Sequence, residues 1–317
     1  MKKLIITSIA LFFICNHLAF GQKTLEEYVE KYGRDKIYKT IGYDAFTVPA
    51  TSKSFRDGHG KNPYFTSKEQ LPDTIALIAF NIRDLGDVEV QEAGIYIITT
   101  YRHLSEHGGN MISNNIYDLS IDMLKARFKE EGVVLLTPKE FLNTQEKIDY
   151  YYDEFEPDVS KLGSFLSKVE NKGTQMSTSA DYFRTFDLGA ANDWRRSVSL
   201  GSDLANKLEV DAVLSIGTAF RSDRKELSMR YVAMALHGPN LISKEDKKYA
   251  AQKAGNGYNE GQLYTGLNYI IKNEMKVASI HKEGIYDINF KGIEVIIEEM
   301  VNRMYDFQYS AIEKTQK

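Results

Sequence analysis

The sequence predicts an α/β fold, a mixed β-sheet with helices packed against it. Three observations carry that reading. Apolar runs of strand length occur at Thr74–Phe80 (TIALIAF), Val133–Leu136 and Val210–Ile216. Stretches with a 3.6-residue apolar period lie between and beyond them. Residues 199–236, SLGSDLANKLEVDAVLSIGTAF and then ELSMRYVAMAL past a charged turn, read as a helix feeding a strand hairpin.

In chain order, Lys2 and Lys3 precede an apolar segment from Leu4 to about Phe20, and Ala19-Phe20-Gly21 has small residues where a signal peptidase needs them. This predicts export with cleavage after Gly21 and a mature start at Gln22. Cys15 is the only cysteine, and Phe12-Phe13-Ile14 before it lacks the small residue expected beside a lipidated cysteine. The mature chain then has no disulfide, thiol nucleophile or cysteine metal ligand.

Thr24–Tyr32 reads as an amphipathic helix with Leu25, Tyr28, Val29 and Tyr32 on one face, and 50–73 as a loop or linker. After the TIALIAF strand comes a polar stretch, then IYIITTY (Ile95–Tyr101), a strand expected to extend the sheet. A long helix is expected from about Asn110 to Glu131, with Ile112, Ile116, Leu119, Met123 and Ala126 as its buried stripe and Gly132 at its C-cap. Thr137-Pro138-Lys139-Glu140 combines a capping box with proline at the first helical position.

Residues 158–198 are the least legible part of the chain. Next, Leu200, Leu204, Ala205 and Leu208 mark the helix of the central unit, with Ser199 or Ser202 as its cap. Asp211 stands where a carboxylate can still reach solvent, and Ser222–Lys225 is the hairpin turn. Ser243–Ala254 reads as a polar helix. From about Gly292 to Ile312 a helix presents Ile293, Ile296, Ile297, Met300 and Met304 on one face, with Glu294, Glu298, Glu299 and Arg303 on the other. That acidic outer face predicts a structural helix, because a membrane-surface helix would carry lysine and arginine there. These features divide the chain into a signal peptide (1–21), an N-terminal helix and linker (22–72) and an α/β domain (73–317).

The formal charge is −4, and losing Lys2 and Lys3 takes it to −6. With no basic run, the composition excludes ordinary nucleic-acid binding.

The order IALIAF strand, long helix, VVLLTP strand and LANKLEVDAVLSIG with its return strand resembles the domain shared by the curli-secretion lipoprotein family (CsgG-like) and the N-terminal domain of the TolB family. Ile75–Phe80, Leu119–Leu136, Leu204–Gly217 and Leu227–Leu236 carry the likeness, over roughly half the mature chain. The resemblance implies a layered α/β architecture in a bacterial envelope protein that binds or assembles, and it brings no catalytic residues. A curli-type pore needs a lipidated N-terminal cysteine and two long membrane hairpins with strands of about nine to eleven residues. The turn at Ser222–Lys225 is too short to hold such an insertion. The expectation is therefore periplasmic or outer-membrane-peripheral, with at most peripheral membrane association, and with another envelope protein or a second copy as partner.

No constellation specifies a reaction, and no catalytic, cofactor-binding or metal site is predicted. His103 and His107 flank Glu106 at an i, i+4 spacing, but lack the metalloprotease order and read as surface histidines. Asp153, Glu154, Glu156 and Asp158 lack the glycine and spacing of a calcium loop. Ser222-x-x-Lys225 lies in a turn instead of opening a helix. Gly58–Asn62 fails as a phosphate loop. Tyr150, Tyr151, Tyr152, Tyr182, Phe183 and Phe186 are either core or an aromatic contact surface. Two functional readings follow: a non-catalytic binding or assembly module, and an exported hydrolase working through loop acids such as Glu154 with Asp181 or Asp187.

Overall fold

Strand β2 (Thr74–Asp84) is the axis of the architecture. In the computed structural model, residues 24–48, 65, 67–93, 96–158, 175–178, 182–186, 198–222, 225–241, 260–281 and 284–315 are described. Ahead of β2 come helices α1 (Leu25–Tyr32) and α2 (Arg34–Ile41) and strand β1 (Gly42–Val48). After it come β3 (Asp87–Ala93), β4 (Tyr96–Arg102), the long helix α3 (Glu106–Glu130), β5 (Val134–Leu136), α4 (Pro138–Phe141), α5 (Gln145–Asp149) and β6 (Gln175–Thr178). The rest is α6 (Ala205–Leu208), β7 (Ala212–Ser222), β8 (Glu226–Pro239), β9 (Gly261–His281), β10 (Gly284–Tyr286) and α7 (Ile293–Thr315).

Eight strands make one mixed sheet in the order β1-β9-β8-β7-β2-β5, with β6 on β2 and β10 on β9. β2 runs parallel to β7 and β5, and the other pairings are antiparallel. The sheet is covered on both faces. Ile75, Leu77, Phe80 and Ile82 join the larger core, with α1, α2, α3 and α7. Ala76, Ile78 and Ala79 join a second core built from Phe141, Tyr151, Phe155, Phe186 and Leu200–Leu208. Strict alternation would put residues 78 and 79 on opposite faces. A bulge between Leu77 and Ala79 resets it, and the Tyr151 hydroxyl donates to the freed Ile78 carbonyl at 2.6 Å. Burial on both faces is why β2 and β7 read as continuous apolar runs.

Several expectations hold. The helix expected over Thr24–Tyr32 forms as α1, and the capping box expected at Thr137 closes with Glu140 on α4. Gly132 follows α3 at φ 81°. The five apolar residues expected on the C-terminal helix are all buried. Asp211 is exposed and accepts the backbone N–H groups of Asp73 and Thr74 at 3.1 and 2.8 Å, tying β7 to the start of β2.

Other expectations are corrected. β4 does not extend the main sheet; it pairs with β3 in a separate two-stranded sheet. α3 starts four residues early, because Ser105 caps it by accepting the Gly108 N–H at 3.1 Å. Its buried stripe runs Ile112, Ser113, Ile116, Ser120, Leu124 and Phe128, leaving Leu119 37% exposed and Ala126 exposed. Neither Ser199 nor Ser202 caps the helix of the central unit. That helix is already turning at Val198, and Ser199–Leu204 is a π-helical turn. Ser199 Oγ instead accepts the Asp158 N–H at 3.0 Å. A Cβ on Gly201 in this turn would lie 2.3 Å from the Gly238 carbonyl oxygen, so only glycine lets the turn sit against β8.

The longest strand among the described residues, β9, is not one of the elements that the sequence predicts. The segment ahead of residue 73 also contributes more than a helix, since β1 pairs with β9 as the sheet's edge. The signal segment, Gly58–Asn62 and Ser243–Ala254 lie outside the described residues.

Candidate functional site

The feature that the two-faced core does not account for is the hairpin β3–β4. Its seven-residue strands pair from Asp87↔Arg102 to Ala93↔Tyr96 and with no other strand among the described residues. Among the described residues, no strand pairs with either outer edge of the hairpin. The sequence supplies strand formers for it in Val88, Val90, Tyr96, Ile97, Ile98, Thr99, Thr100 and Tyr101.

The hairpin springs from the end of β2, where one buried carboxylate gathers its two legs. Asp84 is 3% exposed. Its Oδ1 accepts the Gly86 N–H at 2.8 Å and its Oδ2 accepts the Leu104 N–H at 2.7 Å. The Ser222 hydroxyl, at the end of β7, donates across both oxygens at 2.9 and 3.1 Å. His103 Nδ1 lies 3.7 Å from Oδ2. Three donors satisfy most of what a buried carboxylate requires. This arrangement is not a hydrolase triad, because the serine hydroxyl is bonded to the carboxylate directly, with no imidazole between them.

An open cleft of about 740 Å³ lies elsewhere, between α3, the ends of β8 and β9 and the approach to α7. Leu119, Val277 and Phe290 line it together with charged and amide groups. Of its charged groups, Lys276 pairs with Glu226 across the cleft and Lys291 with Glu26 beside it, each at 3.2 Å.

The structure brings together two residues that the sequence singled out for other reasons. His103 and Ser222 meet at Asp84, which is not among the residues that the sequence singles out. The available signal was local, since Asp84-x-Gly86 is an Asx-turn pattern in which the side chain bonds the N–H two residues on. His103 precedes α3 and the exposed His107 lies within it, so the two do not make a helical ligand pair. Asp153, Glu154, Glu156 and Asp158 are exposed, and Glu156 pairs with Arg184. Asp181 and Asp187, the proposed partners of Glu154, lie outside the described residues.

Tyr151, Phe183 and Phe186 are core, whereas Tyr182 is 43% exposed with the Lys139 ammonium 4.4 Å from its ring centre. No group of three or more His, Cys, Asp or Glu side chains that could hold a metal ion occurs among the described residues. Among the same residues, no helix is long and apolar enough to cross a membrane.

No protein-family model matches this chain, and neither does any curated protein or solved structure.

Proposed function

We propose that this is an exported envelope protein that works by binding and assembly, without a reaction of its own, and that β3–β4 is its contact element. The observation that carries this is that, among the described residues, the hairpin pairs with no strand of the main sheet. A lone two-stranded hairpin is marginally stable in water, and its unpaired edges template pairing with another chain. The occupant that fits is a second copy. β3 carries Asp87, Glu89 and Glu92, while β4 carries no acid and has Arg102. Pairing the β3 edge of one copy with the β4 edge of the next brings acids beside a strand that carries a base, whereas β3 against β3 would bring six acids together with no base between them. Strands of seven residues are shorter than the about nine to eleven that cross a bilayer, which favours contact between chains outside the hydrocarbon. Export rests on the N-terminal pattern ending at Gly21, and the CsgG-like and TolB-like resemblance supports an envelope role.

Sedimentation of residues 22–317 over a range of concentrations is the test, beside a variant in which 87–102 is replaced by a short glycine-serine turn. The parent should self-associate and the variant should stay monomeric with the same far-ultraviolet circular dichroism per residue in its core. A parent that stays monomeric throughout, or a variant that associates equally well, would refute the proposal. N-terminal sequencing of the exported form should begin at Gln22.

A further inference from the structure

Resting on that reading of the hairpin, we propose that Asp84 is a latch that aims the contact element, holding β3–β4 as a hinged arm whose two legs are fastened at one carboxylate. The geometry is specific. The Gly86 N–H lies just before β3 and the Leu104 N–H just after β4, and each binds a different oxygen of the same side chain. The separation of the legs at their base is thus set by a single planar group. Ser222 bonds both oxygens, fastening the carboxylate to the end of β7. The neighbouring Leu85 N–H also bonds the Phe220 carbonyl on β7, at 2.7 Å.

Beyond these fastenings the arm has no strand to lean on among the described residues. Gly86, at φ 70°, is the residue whose backbone can swing there without a Cβ clash. Gly86 and Leu104 are both buried, so without the carboxylate their N–H groups would have no acceptor in place, and the arm would gain by turning them toward water. The ladders that join β2, β7, β8 and β9 are made by other, backbone bonds. Removing the latch should therefore loosen the arm as one unit and leave the sheet closed. Asp84 acts here as a positioning residue, through the hairpin and not by touching a partner.

Hydrogen exchange resolves this, measured on residues 22–317 diluted to where sedimentation shows only monomer, so that no contact between copies contributes. Asp84→Asn should speed exchange across 86–104 on the order of a hundredfold, since charge-assisted bonds to two backbone donors are weakened together. Amides of β7 and β8 should keep their parent rates. Ser222→Ala leaves the carboxylate and both backbone bonds in place and should give a smaller rise, about tenfold, in the same segment. It also keeps the proposal testable if Asp84→Asn does not fold. Unchanged exchange over 86–104 in Ser222→Ala, or a rise shared equally by β7 and β8 in either variant, overturns the latch. The self-association reading fails separately, by sedimentation of the parent alone.

Discussion

Arg303, midway along α7, forms an ion pair with Asp44 on the edge strand β1. The Tyr38 hydroxyl donates to the other oxygen of the same carboxylate at 2.7 Å, and the Arg303 guanidinium lies 5.4 Å from the Tyr38 ring centre. The two ends of the described chain are thereby closed on one another over the β1 edge. A second tie, from Arg34 on α2 to Glu298 on α7, runs beside it.

Asp44→Ala should lower unfolding free energy by about 1.5–3 kcal/mol, the usual worth of a hydrogen-bonded charge whose partner is left partly buried. Urea denaturation monitored by tyrosine fluorescence measures it. An unchanged midpoint would mean that Arg303 finds another acceptor at no cost.

Removing α7 should be far more damaging. Ile293, Ile296, Ile297, Met300 and Met304 are each no more than 1% exposed. Burial contributes about 1.5–3 kcal/mol per side chain before entropy is subtracted, so their sum is of the order of a domain's net stability. A chain stopped before Gly292 should aggregate or be proteolysed. If it stays soluble and melts at the parent temperature, α7 is not part of the core's support.

Gly201→Ala drives a Cβ against the Gly238 carbonyl oxygen and within 3.0 Å of the Gln262 backbone nitrogen. Both obstacles are main chain, and neither can rotate away. The expected cost is about 1–3 kcal/mol or more, as for other overpacked sites. Thermal unfolding reads it, and a parent-like melting temperature would contradict the close approach.

Glu131, after α3, accepts from Arg127 at 2.6 Å and from the Tyr309 hydroxyl of α7. Partial burial works to raise its carboxyl, but the hydrogen bonds from Tyr309 and Arg127 outweigh it and hold the group below its usual range. A carboxyl held low in the folded state contributes stability above its unfolded pKa, near about 4.3, and loses it as pH falls through the folded value. Glu131→Gln should therefore melt below the parent at neutral pH, with the gap narrowing under acid. A gap that widens on acidification has the wrong sign for this account.

The parts of the fold that were legible are those whose signal is local. The apolar runs of β2 and β7, the capping box at Thr137, the glycine after α3 and the stripe of α7 each depend on residues within a turn or two of one another. β9 does not read as a strand because Gly266, Asn268, Lys272 and Asn273 break any continuous apolar run. Yet Leu267, Tyr269 and Ile271, and then Met275 and Val277, alternate into the core as a half-buried strand should. Leu119 reads as core by its chemistry, whereas the stripe that is buried passes through Ser113 and Ser120.

By itself the sequence determined the class of fold, the order of its strongest elements and the hairpin of the central unit, since periodicity and caps are written residue by residue. Tertiary structure alone decided that β4 leaves the sheet to pair with β3, that β1 closes the far edge, and that Asp84 meets Ser222. Those partners lie 138 positions apart. Nothing in a local pattern says which distant donor a buried carboxylate will find, because that choice is made by strands brought side by side only once the whole sheet has closed.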